Sequence, residues 1–148
     1  MDTQWIIRTA KTEDAEGLRV CMALAYKAYE PRMAGRHLPP MEADYAAEIR
    51  DAPVWVIDLN GVIAGGLIMD FSDNYASISN IAVHPEFQGQ RMGGALMKFA
   101  SMTAKEQGFT ELHLATHVLL TENIALYRHL GWKESDRDET RVYMQKTL

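Results

Sequence analysis

The apolar positions of the chain change period several times, and each change marks an element. Residues 5–8 are a short β-rich run that predicts a first strand. Leu18, Cys21, Met22, Ala25 and Tyr29 then recur at helical spacing, with Thr12 as a candidate N-cap, an acidic first turn at Glu13 and Asp14, and Pro31 as the stop. A second short helix is predicted over residues 41–50. Residues 54–59 and 62–69 are strands joined by Asn60-Gly61, a two-residue hairpin signal. Gly65 and Gly66 inside the second of these predict a bulge or a backbone closely approached by another group. Residues 75–83 form the next strand. From Met92 the apolar positions Ala95, Leu96, Phe99 and Ala100 follow a helical period, closed by a Gln107-Gly108 cap signal. Residues 110–115 alternate like a half-buried strand, residues 121–130 are a capped helix ending at Gly131, and residues 132–135 and 141–145 predict a closing pair of strands.

The order β-α-α-β-β-β-α-β-α-β-β predicts an α/β (α+β) fold, a mixed sheet with helices packed on it. With 148 residues and 47% hydrophobic content, one domain over residues 1–148 is expected. The net charge of −5 argues against a nucleic-acid partner. There is no run of 18 apolar residues, so no spanning helix and no membrane partner are expected. The N-terminus lacks the regions of a signal peptide, and the single cysteine suits a reducing compartment, so a cytoplasmic location is expected. Cys21, on an apolar helix face, is expected to be a small buried hydrophobe. The five histidines form no ligand pair on a helix face, so no metal is expected.

Chemistry concentrates where the strand at residues 81–83 runs into the helix at Met92. Ile81, Ala82 and Val83 close the strand and Pro85 stops it by removing a ladder donor. Between strand and helix lie Gln88, Gly89, Gln90, Arg91, Met92, Gly93 and Gly94. A helix N-terminus carries orphan N–H donors and partial positive charge, and glycines let a ligand approach the backbone closely. The segment suits a phosphate-bearing ligand. Its glycines lack the G-x-G-x-x-G spacing of dinucleotide sites.

This segment resembles the acetyl-CoA signature of the GNAT superfamily of N-acetyltransferases, Gln/Arg-x-x-Gly-x-Gly/Ala after a splayed strand. Gln88 fills the first position and Gly93 the last, while Arg91 stands where the middle glycine usually sits. That replacement is expected to be mild, because the position contributes a backbone N–H. Asn123-Ile-Ala-Leu-Tyr127-Arg-His-Leu-Gly131-Trp132 resembles the other signature, a helix ending in Tyr-x-x-x-Gly-Phe. The predicted element order matches the superfamily's fold from end to end. The resemblance implies a mostly antiparallel, twisted sheet of seven strands with four helices, its strands splayed at the acetyl-CoA site.

The implied activity is direct transfer of an acetyl group from acetyl-CoA, as cosubstrate, to a primary amine on a small molecule or peptide. By resemblance, backbone groups of Ile81 and Val83 hold the pantetheine arm and the Val83 N–H polarises the acetyl carbonyl. Donors between Gln88 and Gly94 take the pyrophosphate, Tyr127 is the general acid, and Asn123, one turn before it, bonds the pantetheine. Many superfamily members carry a base on the strand before the loop, but here Ser77 and Ser79 stand there. A water relay through these hydroxyls, with Ser77 as the catalytic candidate and Asp70, Asp73 or His117 behind it, is one solution. Arg32, Arg36 and His37 form a candidate acceptor site that favours an anionic group. Homodimers are common in the superfamily. Two other classes stay open: a non-catalytic acyl-CoA-binding module, and a nucleotide-binding regulatory domain.

Overall fold

Asn60 and Gly61 both take positive φ, 51° and 90°, as a primed two-residue hairpin turn requires. They join β2 (Val54–Leu59) to β3 (Val62–Phe71), and the computed structural model, which describes residues 4–33, 39–41, 43–72 and 74–148, builds outward from this hairpin. The remaining elements are β1 (Trp5–Thr9), α1 (Ala15–Lys27), α2 (Tyr45–Asp51), β4 (Ala76–Val83), α3 (Met92–Glu106), β5 (Glu111–His117), α4 (Thr121–His129), β6 (Lys133–Arg137) and β7 (Arg141–Thr147). The strands form one sheet in the order β1-β2-β3-β4-β5-β7-β6. Only the β4–β5 contact is parallel; all other neighbours are antiparallel. Among the described residues, no helix is long and apolar enough to cross a membrane.

Period-two alternation sorts the strand side chains between two cores. On one face Leu18 and Met22 of α1 and Tyr45 of α2 pack on Val54, Val56 and Ile68. On the other, Met92, Leu96, Ala100 and Ala104 of α3 and Ile124 of α4 cover Ile57, Leu67, Ile78 and Leu114. Cys21 is fully buried, and burial pushes its thiol up to about 12, the environment of a packing residue and not of a nucleophile.

The expected first N-cap is corrected. Residues Thr12–Asp14 form a 3-10 turn, and α1 begins only at Ala15. Asp14 does more than face the helix dipole. Its carboxylate accepts from the Lys11 backbone N–H at 2.7 Å and receives both terminal nitrogens of Arg8, at 2.7 and 2.9 Å. Arg8 also reaches Asp58 at 3.0 Å, so one guanidinium ties β1, β2 and the start of α1 together. The second helix starts later than expected, at Tyr45, because Asp44 caps it by accepting from the Ala47 N–H.

Both sequence expectations for Gly65 and Gly66 are met. The β2–β3 register shifts beside Gly65, leaving Ala64 as the extra residue of a bulge. At Gly66 the close neighbour is α1, since a Cβ there would lie 2.4 Å from Leu18 Cδ1 and 2.9 Å from Met22 Cε. Both side chains are fully buried and have nowhere to retreat. Gly66→Ala should therefore destabilise the fold by about 1–3 kcal/mol. Urea unfolding checks this, and an unchanged midpoint would show that α1 moves freely over the sheet.

Candidate active site

The site begins with two strands that part. β4 and β5 pair only at Ala76–Leu112, Ser77–His113 and Ile78–Leu114. Immediately after the last of these, the β3–β4 register shifts so that Ile68 faces Asn80 and Met69 faces Ile78, which makes Ser79 a bulged residue. A bulge bends its strand and raises local twist. Beyond it β4 follows β3 as far as Val83, while β5 stays paired with β7 as far as His117. A gap opens between them.

Backbone polarity in the gap follows from the ladder. Hydrogen-bonded and non-bonded pairs alternate along an antiparallel pair. His84 N–H donates to Ala64 O at 2.8 Å, so Ala82 also turns its polar groups toward β3. Ile81 and Val83 then turn theirs away from β3 and into the gap. Their carbonyls agree: Ile81 O accepts the Tyr26 hydroxyl at 3.2 Å, and Val83 O accepts Gln88 Nε2 at 3.3 Å.

The helix that follows aims its first turn at the same gap. Gly89 takes φ 87° and Arg91, the N-cap of α3, takes φ 67° in the left-handed region. The family's glycine at the Arg91 position thus serves a conformation, and the replacement is less mild than the sequence suggests. A Cβ at Gly93 would meet only Val83 Cγ2, at 3.9 Å, and one at Gly94 would meet nothing within 4 Å. The glycines therefore front open space.

A cavity of about 540 Å³ fills this region. It gathers residues 81–83 of β4, Gln88 and Gly89 of the loop, residues 91–94 at the start of α3, and Asn123 and Tyr127 of α4. Nearly all the cofactor-binding residues expected from sequence thus meet in one place. Gln90 is exposed and outside the lining. Ser77 lies outside it too: it stands where β4 and β5 are still paired, between Asp70 and His113. His117 sits at the far end of β5, where its Nδ1 accepts the Leu119 N–H. Arg36, His37 and Asp73, and the side chain of Arg32, lie outside the described residues.

Tyr127 is positioned by how its helix ends. Gly131 takes φ 97°, the Trp132 N–H returns to Tyr127 O at 2.9 Å, and the Gly131 N–H bonds Arg128 O. Buried Trp132 then sets its ring 6.1 Å from the Tyr127 ring. The Tyr-x-x-x-Gly-Trp spacing is this capping geometry. Burial pushes the Tyr127 phenol up to about 12, with the nearby Tyr29 phenol adding to the rise.

Two site residues missed in the sequence come from α1 and the turn after it. The Tyr26 hydroxyl is shared between Asn80 Oδ1 and Ile81 O, both at 3.2 Å, and burial raises its phenol further still. Tyr29 follows α1 and meets Asn123 Oδ1 at 3.4 Å, which orients that amide toward the cavity wall. The available signal was Tyr26 four residues after Met22 on an apolar helix face. Among the described residues, the cavity lining holds the cation Arg91 and no carboxylate.

A sequence model described as the Acetyltransferase (GNAT) family matches residues 22–132, well over half the chain, and the protein belongs to that family. An uncharacterized N-acetyltransferase, YjgM, of Escherichia coli K12 is 33% identical over 86 residues, covering 55% of this chain and 52% of that protein. The ribosomal protein bS18-alanine N-acetyltransferase of the same strain is 33% identical over 76 residues, covering 51% of each. The chain spans about half the length of these curated relatives. The fold is shared more widely. PaiA N-acetyltransferase of Thermoplasma acidophilum, solved with coenzyme A, superposes with a TM-score of 0.85 at 20% identity, covering 98% of this chain and 99% of that one.

Strain at Arg91 is directly testable. A left-handed conformation costs an ordinary residue roughly 1–2 kcal/mol, and glycine offsets part of that gain through its freer unfolded chain. Arg91→Gly should raise stability by about 0.5–1 kcal/mol in chemical denaturation. A less stable variant would mean that the Arg91 side chain holds the loop.

Proposed function

We propose that the protein is an acetyl-CoA-dependent N-acetyltransferase that transfers the acetyl group directly to a primary amine. The observation that carries this reading is the pair of Ile81 and Val83 amides turned into the β4–β5 gap, beside an open glycine-lined helix start. The residues fit acetyl-CoA on their own chemistry. The gap offers an extended pantetheine arm a strand edge to pair with, and the α3 start offers N–H donors to a pyrophosphate. Arg91 adds positive charge at the same mouth.

Bound acetyl-CoA supplies an acyl thioester, from which a neutral amine displaces the thiol as the new C–N bond forms and the C–S bond breaks. The Val83 N–H is the donor for charge growing on the carbonyl oxygen, fixed in place by the β3 ladder. Asn123, with its Oδ1 engaged by Tyr29, keeps its amide donors for the arm. Tyr127, in the cavity lining, would serve the thioester sulfur as a hydrogen-bond donor. With its phenol near 12 it stays protonated throughout the working range, and it is a weaker acid than an ordinary thiol near 8.5. Its contribution is therefore stabilisation of the leaving sulfur by a shared proton, while the proton lost by the amine goes to solvent. This replaces the Ser77 relay, since Ser77 stands on the paired part of the sheet.

Three measurements test the reading. Tyr127→Phe should lower kcat by about 10²–10³-fold, the size of one lost transition-state donor, with acetyl-CoA affinity nearly unchanged; wild-type turnover would make the residue structural. In the wild type, kcat/KM should rise with the neutral-amine fraction and show no falling limb near pH 10, where an ordinary tyrosine ionises at about 10. A falling limb there that vanishes in the Phe variant would contradict a phenol held near 12. Gly93→Val should fold normally, because its side chain meets open space, yet lose acetyl-CoA affinity by calorimetry. Tight binding without thiol release for any amine would instead identify an acyl-CoA sensor.

A further inference from the structure

The proposed acetyl site has a neighbour on the other side of one strand. A second cavity, of about 300 Å³, is lined by Ser79 and Asn80 of β4, Ile68 of β3, Glu48 of α2 and Arg141 of β7. It shares a wall with the first. Asn80 lines the second cavity and Ile81 the first, and the Tyr26 hydroxyl bonds both. A group entering the second cavity therefore arrives at the part of β4 where the strands have already separated.

Its charges are opposite and set apart by element. Glu48 comes from α2, which packs over β2 and β3, whereas Arg141 begins β7, beyond β5 in the sheet. The Arg141 backbone is fixed twice, by pairing opposite His117 and by its N–H donating to Asp138 Oδ1 at 2.7 Å. Among the described residues, neither the Glu48 carboxylate nor the Arg141 guanidinium has a side-chain ion pair. The volume is at the small end of ligand sites. It suits a compact molecule that carries both signs of charge.

We propose that this cavity seats an acceptor carrying its own anion, a small amine with a carboxylate or phosphate at its other end. The anion lies on Arg141, whose planar fork matches either group, and the ammonium is drawn to the Glu48 side before it gives up its proton. This rests on the acetyl-transfer reading and adds the substrate class to it. It adds Arg141 to Arg32, Arg36 and His37 as a candidate reader of the acceptor's anion.

The experiment compares acceptors as matched pairs at fixed acetyl-CoA, following free thiol: 4-aminobutyrate against butylamine, and phosphoethanolamine against ethanolamine. The anionic member of at least one pair should be preferred by about tenfold in kcat/KM, chiefly through KM, and the preference should fall as salt rises. The pair showing the larger ratio distinguishes a carboxylate from a phosphate acceptor. Arg141→Gln should bring that ratio close to one, Arg141→Lys should restore part of it, and melting temperatures near the wild type confirm that both variants fold. Thiol release with equal ratios in both pairs, or a ratio that survives Arg141→Gln, overturns the substrate class while leaving acetyl transfer standing. No thiol release with any amine and no acetyl-CoA binding overturns the underlying reading instead.

Discussion

Backbone N–H and C=O groups away from water need partners, and on β4 that need is left open by construction. Three parallel pairs hold β4 to β5, and the Ser79 bulge then carries β4 away. Each strand is kept straight by a different neighbour, β3 on one side and β7 on the other, so neither can bend back to close the gap. The polar edge at Ile81 and Val83 is thus held in place by the whole sheet. A preorganised donor of this kind needs no rearrangement when charge develops in front of it.

The surrounding elements meet this edge in two ways. Tyr26 and Gln88 occupy the carbonyls of Ile81 and Val83 with their own side chains. Positive-φ residues aim the remaining walls: Gly89 and Arg91 direct α3 at the gap, and Gly131 sets the end of α4 so that Tyr127 points inward. Burial among aromatic neighbours raises the Tyr127 phenol and keeps its proton in place, as the proposed donor role requires.

Most of the element order was legible because periodicity and turn chemistry agree along the chain. The Asn60-Gly61 hairpin, the Gly108 and Gly131 caps and the strand–loop–helix at residues 81–94 are each local signals, and each appears in the structure. What escaped depends on contacts across the chain. The Thr12 cap failed because Thr12 lies inside a 3-10 turn ahead of α1, where the Asp14 carboxylate is held by the Lys11 N–H and by Arg8, a residue of β1. The Ser79 bulge is invisible without its partner strand, so Ser77 was the catalytic candidate although Ser79, and not Ser77, lines the second cavity. Tyr26 joined the site through bonds to residues more than fifty positions away. The second cavity unites residues from distant parts of the chain, among which Glu48 and Arg141 carry no shared sequence signal.

The unpaired edge of β4 is the proposed seat of the thioester. The most direct measurement is a crystal structure of the protein with acetyl-CoA or a non-hydrolysable thioether analogue. The pantetheine arm should lie along residues 81–83 as an added strand, with the pyrophosphate on the first turn of α3 and the acyl oxygen about 2.7–3.1 Å from the Val83 nitrogen. An acyl group bound elsewhere, with the Val83 N–H facing solvent or another protein group, would contradict that placement.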